Sequence, residues 1–144
     1  GLLMGAEQLL KDIHYINGKF TDSEWVKEQN GNVLSYTALK LAAMKAYLVD
    51  EKQSAHQAMM DADIEMDTAK AVAYLKAKEE HNATAAQDLK NMDPEYIEAK
   101  KVFASKKVYF DKIKSVVTDT HDMIESIRSR IIDLQSARKD ENIR

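Results

Sequence analysis

An apolar seam of heptad spacing in the C-terminal third limits what this chain can fold into more than any other feature. Phe103, Phe110, Val117, Ile124 and Ile131 recur every seven residues, and Ile113, Ile127 and Leu134 fall three positions after members of that row. Thr120 is the polar member of the second series. Two such rows, sustained over about four heptads, make helices pair lengthwise. Val102, Tyr109, Val116 and Met123 lie beside them and widen the stripe to the breadth of a bundle-facing helix. The apolar residues are thus committed to helix-helix packing, with no sign of a pocket. A helix this long cannot be covered on all sides by one small domain. The expectation is homo-oligomerisation, with Phe103, Phe110, Val117, Ile124 and Ile131 as the oligomer seam.

Local start signals divide the rest. Leu9, Leu10 and Ile13 give an amphipathic start that the turn dipeptide Asn17-Gly18 should end. Thr21-Asp22-Ser23-Glu24 reads as a capping box opening a short helix with Trp25 and Val26, stopped by Asn30-Gly31. Leu34, Leu41 and Leu48 follow at spacing seven, continued by Ala55, Ala62 and Ala69, which predicts one long helix from Val33 to about Lys78. Alanines bury little area, at about 25 cal/mol per Å², so the middle of that helix should be its least stable part. The pattern breaks at His81-Asn82-Ala83, and Thr84-Ala85-Ala86-Gln87 offers another capping box. Asp93-Pro94-Glu95 is a full helix start: an N-cap, a proline at the first helical position, and an acid where the dipole favours one. The expected fold is all-α, a long helical hairpin or coiled-coil-like bundle with short N-terminal helices. As one domain overall it divides into residues 1–32, a long helix over 33–80, and a connector with the C-terminal heptad helix over 81–144.

Composition agrees. Four glycines and one proline in 144 residues leave few breaks for a β-rich fold. The absence of cysteine excludes disulfide and thiolate chemistry. No apolar run approaches the ~20 residues of a membrane span, and Gly1-Leu2-Leu3-Met4 is too short for a signal core. A soluble, cytoplasmic protein without membrane contact is the expectation (host cell cytoplasm if phage-encoded). Net charge is only -3, but it is polarised. Residues 50–67 hold six acids against Lys52, whereas Lys100, Lys101, Lys106, Lys107, Lys112 and Lys114 stand against Asp111 alone.

Catalytic chemistry is largely missing. Asp61-x-Asp63-x-Glu65 resembles the opening of a calcium loop, but that loop needs Gly at its sixth position and Glu at its twelfth, where Met66 and Val72 stand. The four histidines are scattered, and His121 with Glu125 one turn on does not close a zinc site. Glu95-x-x-Glu98 with Asp119-x-x-Asp122 is similar to the paired acidic motifs of MazG-type pyrophosphohydrolases. On one continuous helix the two pairs lie roughly 30 Å apart at ~1.5 Å per residue, too far to share magnesium. No catalytic residue, metal or cofactor is implied, and a non-enzyme is the expectation.

The basic run remains. Lys100, Lys101, Lys106, Lys107, Lys112 and Lys114 are interleaved with Phe103, Tyr109, Phe110 and Ile113, and Arg128 and Arg130 follow. Such residues either form a solvated face over the seam or track phosphates, with Tyr96 or Tyr109 available to stack on bases. The segment from Thr84 to Lys139 resembles the C-terminal half of UvsY-like phage recombination mediators. Its run Asp93-Pro94-Glu95-Tyr96-Ile97-Glu98-Ala99-Lys100 leads through a long helix to Ile124-Glu125-Ser126-Ile127-Arg128-Ser129-Arg130. The earlier order, with an aromatic near Trp25 and a long helix carrying Tyr36 and Tyr47, is similar too. The resemblance implies an oligomeric, single-stranded-DNA-binding accessory protein that loads a recombinase, although the Asp61–Asp67 face departs from it. On the residues alone, a coiled-coil assembly or adaptor protein binding another protein stands as the alternative.

Overall fold

The computed structural model describes residues 2–20 and 30–143, and every regular element in them is helical. In chain order these are α1 (Leu2–Phe20), α2 (Gly31–Lys78), α3 (Ala83–Leu89), a 3-10 turn (Lys90–Met92) and α4 (Pro94–Ile143). The all-α expectation holds. The Thr21–Glu24 capping box and the segment with Trp25 and Val26 lie outside the described residues.

Cap chemistry sets the starts. The Asp93 carboxylate accepts from the backbone N–H groups of Glu95 and Tyr96 at 2.9 and 3.0 Å, so α4 opens where the sequence says it should. Asn82, rather than Thr84, caps α3: its side-chain oxygen accepts from Ala85 N–H at 2.8 Å. Asparagine ranks with the best N-caps, ahead of threonine, and so takes the start two residues earlier. Asn30-Gly31 reads as a stop, yet Asn30 accepts from Val33 N–H at 2.9 Å and opens α2. Asn17-Gly18 does not end α1, which runs on to Phe20. A glycine in a last turn costs about 1 kcal/mol, and burial of Leu10 and Ile13 in the same helix offsets a penalty of that size.

The contacts group into two units, Gly1–Glu51 with Lys114–Arg144 (the terminal unit) and Lys52–Ile113 (the middle unit). In the terminal unit the early part of α2 pairs antiparallel with the late part of α4. Residues 42–49 share a cleft with residues 121–128, and residues 30–35 share one with residues 131–141. Its core holds Leu34, Leu41 and Leu48, all 0% exposed, with Val116, Met123, Ile124 and Ile127. Thr120 is buried as well, and its hydroxyl donates to the Val116 carbonyl one turn back at 2.7 Å. A polar side chain is thereby accommodated without a lone donor.

The middle unit is built from smaller pieces. Ala55, Ala62 and Ala73 of α2 are its buried positions on that helix, joined by Ala86, Tyr96 and Ile113. Pairing with α4 is again antiparallel, since the His56 ring meets the Phe110 ring at 5.0 Å, tilted by 48°, while Lys76 reaches Glu95. Phe103, Tyr109 and Phe110 are half-buried and supply bulk that the alanines lack. Ala69, the expected continuation of the alanine row, is only half-buried, and Ala73 takes its place. A helix of 3.6 residues per turn drifts away from a strict seven-residue repeat unless it supercoils.

Candidate nucleic-acid interface

Every basic position singled out on the sequence lies on α4, and all but Arg130, which is half-buried, are exposed. Their surroundings differ. In the middle unit Lys100 places its ammonium 4.6 Å from the Tyr96 ring centroid, a cation-π contact. Lys107 faces Asp111 one turn on, at 3.5 Å. Among the described residues, no ion pair is formed by Lys101, Lys106 or Lys112. In the terminal unit Lys114 is exposed and Arg128 holds Glu125 at 3.0 Å.

Helical geometry sorts the middle-unit lysines. At 100° per residue, Lys101 and Lys112, eleven positions apart, fall on nearly the same side of α4. Val108 lies between them and is 69% exposed. Lys106 projects elsewhere, and Lys100 with Lys107 forms another row. The six lysines therefore surround the helix instead of forming one stripe. Val108 escapes notice on the sequence because valine beside a heptad row reads as part of the core; only its exposure marks it out.

The other expectations fall as follows. Tyr96 is buried and carries Lys100 over its ring, so it is not open to stack on a base. Among the seam residues, Ile124 is buried and Val117 and Ile131 are half-buried in the terminal unit, while Phe103 and Phe110 are half-buried in the middle unit. The most occluded line of α4 passes instead through Ile113, Thr120 and Ile127, which marks the centre of the wide stripe.

Lys45 donates to His121 Nδ1 at 2.9 Å, and Glu125 is taken by Arg128. Glu65, Glu95 and Glu98 line one open cleft of the middle unit with Ala62, Pro94, Ala99 and Val102. Among the described residues, no three histidine or acidic side chains are placed to hold a metal ion. Asp61, Asp63 and Glu65 are exposed on a regular helix, a backbone that cannot fold around calcium. No described helix is long and apolar enough to cross a membrane. No protein family, curated protein or solved structure matches the chain.

Proposed function

We propose that this chain is an oligomeric, helical accessory protein of phage recombination that binds single-stranded DNA and helps load a recombinase. The observation that carries the reading is the set of exposed lysines on α4 without anionic partners among the described residues, Lys101, Lys106 and Lys112, with Val108 between two of them. Exposed lysines free of carboxylate partners suit phosphate contacts along a single strand's backbone. The likeness of the Asp93–Lys100 and Ile124–Arg130 runs to UvsY-like mediators supports the same reading. The acids of residues 50–67 work against a global attraction, so the contact is local and to phosphates.

Anisotropy of a labelled oligonucleotide at two salt concentrations tests it. Binding should fall steeply with salt and be indifferent to sequence. Lys101→Glu with Lys112→Glu should weaken it by on the order of a hundredfold while leaving helicity intact, since each lysine is a phosphate contact and neither is in the core. Lys107→Glu and Arg128→Glu should act more weakly, because each of these side chains already faces a carboxylate. Tight binding unchanged by the double variant would remove the mechanism.

A second reading, a coiled-coil assembly or adaptor protein whose partner is a protein helix, is favoured by apolar side chains left open on α2. It predicts no oligonucleotide binding at either salt concentration.

A further inference from the structure

Within the middle unit, α2 carries a second apolar row on the side away from its alanines. Met60, Ile64 and Leu75 are 46%, 64% and 60% exposed, and Ala71 lies exposed among them. At 100° per residue all four fall within about 60° of one another, roughly opposite Ala55, Ala62 and Ala73. Isolated exposed apolar residues are ordinary; a row of them along one helix face is the pattern of an interface.

The row has a further property. Its spacing of four, seven and four residues reads the same in both directions. A second copy of α2 laid antiparallel, with a two-fold axis near Asp67 and Thr68, sets Met60 against Leu75 and Ile64 against Ala71. Large residues then meet small or flexible ones, as interdigitating helices require. The flanking charges obey the same symmetry. Asp63, Asp67 and Lys70 lie on one flank of the row, and in the antiparallel pair that flank faces its own copy. The partner's Lys70 then falls axially between Asp63 and Asp67, about 3 Å along the helix from each at ~1.5 Å rise per residue. Asp63, Asp67 and Lys70 are exposed and form no ion pair among the described residues. In a parallel, in-register pair Asp63, Asp67 and Lys70 would each face their own copy, whereas in the antiparallel pair only Asp67 does, with Lys70 of the partner subunit beside it.

We infer that the middle unit of this protein self-associates through the outer face of α2, antiparallel and two-fold, along Met60, Ile64, Ala71 and Leu75. This interface is separate from the α4 seam and does not depend on nucleic acid.

Sedimentation velocity of the full chain over a range of concentrations reads the association. The wild type should show a concentration-dependent dimer step, and Ile64→Glu should weaken it by on the order of a hundredfold or more, because the two-fold axis introduces the charge twice. Far-UV circular dichroism should not change, since the position is exposed. Asp63→Lys should weaken association, and adding Lys70→Asp in the same chain should restore part of it, because the 63–70 contact then has its signs exchanged while Asp67 keeps its charge. The chain has no cysteine, so single cysteines report direction. Thr68→Cys, near the axis, should form an intermolecular disulfide readily, whereas Gln53→Cys, whose two copies would lie about 40 Å apart in the antiparallel pair, should not. A wild type that stays monomeric at submillimolar concentration overturns the inference, and so does an Ile64→Glu protein of unchanged mass. Equal cross-linking at both cysteines means a parallel pair and overturns it as well.

Discussion

The two units use one architecture, paired antiparallel segments of the same two long helices, and fill it differently. On α2 the terminal unit buries Leu34, Leu41 and Leu48, whereas the middle unit buries Ala55, Ala62 and Ala73. At about 25 cal/mol per Å², each leucine contributes a burial term that an alanine cannot approach. The middle unit takes its bulk from α4, where Phe103, Tyr109 and Phe110 are only half-buried. It also leaves Met60, Ile64 and Leu75 open on the outside of α2. Equal helix length does not mean equal core. Both units leave apolar side chains open on α2, Tyr36 and Leu39 in the terminal unit and Met60, Ile64 and Leu75 in the middle unit, so exposure alone does not separate them; core size does.

Truncation in the leucine-rich core should have the largest effect. Leu41→Ala should cost about 3 kcal/mol in urea unfolding, the range for a fully buried leucine. Amide exchange should accompany it, with residues 34–48 protected longer than residues 55–73. Equal protection, or a Leu41→Ala loss under about 1 kcal/mol, would break the contrast between the units. Next in size is Ala73→Leu, which tests whether the alanine core is tight or merely small. Overpacking should cost about 2 kcal/mol; a rise in the urea midpoint would mean that the middle unit has room to spare.

Smaller effects sharpen the picture. Asp93→Ala removes the acceptor for two amides at the start of α4 and should cost about 1 kcal/mol. Arg128→Ala breaks an exposed pair with Glu125 and should change stability by less than about 0.5 kcal/mol. Its effect on oligonucleotide binding should likewise be below that of the Lys101 and Lys112 double variant.

Much of the fold is legible in the sequence because its causes are local or periodic. The heptad rows announce long helices, and Asp93-Pro94-Glu95 announces a start, since a cap acts on amides two and three residues away. Asn30 shows where such reading fails. Asparagine serves turns and N-caps alike, and the choice was decided by the Leu34–Leu48 row that follows it. Asn17-Gly18 is overridden for a similar reason, burial of residues a turn or two earlier. The site is less legible. Six lysines look alike in the sequence, and only side-chain placement separates Lys100, set over Tyr96, and Lys107, facing Asp111, from Lys101 and Lys112. The outer row of α2 goes unread because its alternation with acids makes it look like a solvated face.

The turn between α2 and α3 carries a practical consequence. Glu79, Glu80, His81 and Asn82 are exposed, held by two amides that donate to the Ala77 carbonyl and followed at once by the Asn82 cap. From residue 30 to residue 143, these four and Asp93 are the described stretches outside regular helix beyond the first cap. A protease must draw its substrate out straight, and helical backbone resists that. Among the described glutamates, Glu79 or Glu80 should therefore be cut first by a glutamate-specific enzyme. The cut would fall between one long helix and the other, leaving both whole. Side-chain packing would still hold the two fragments together under native conditions, so this turn is the natural seam along which the protein can be expressed in halves and reassembled.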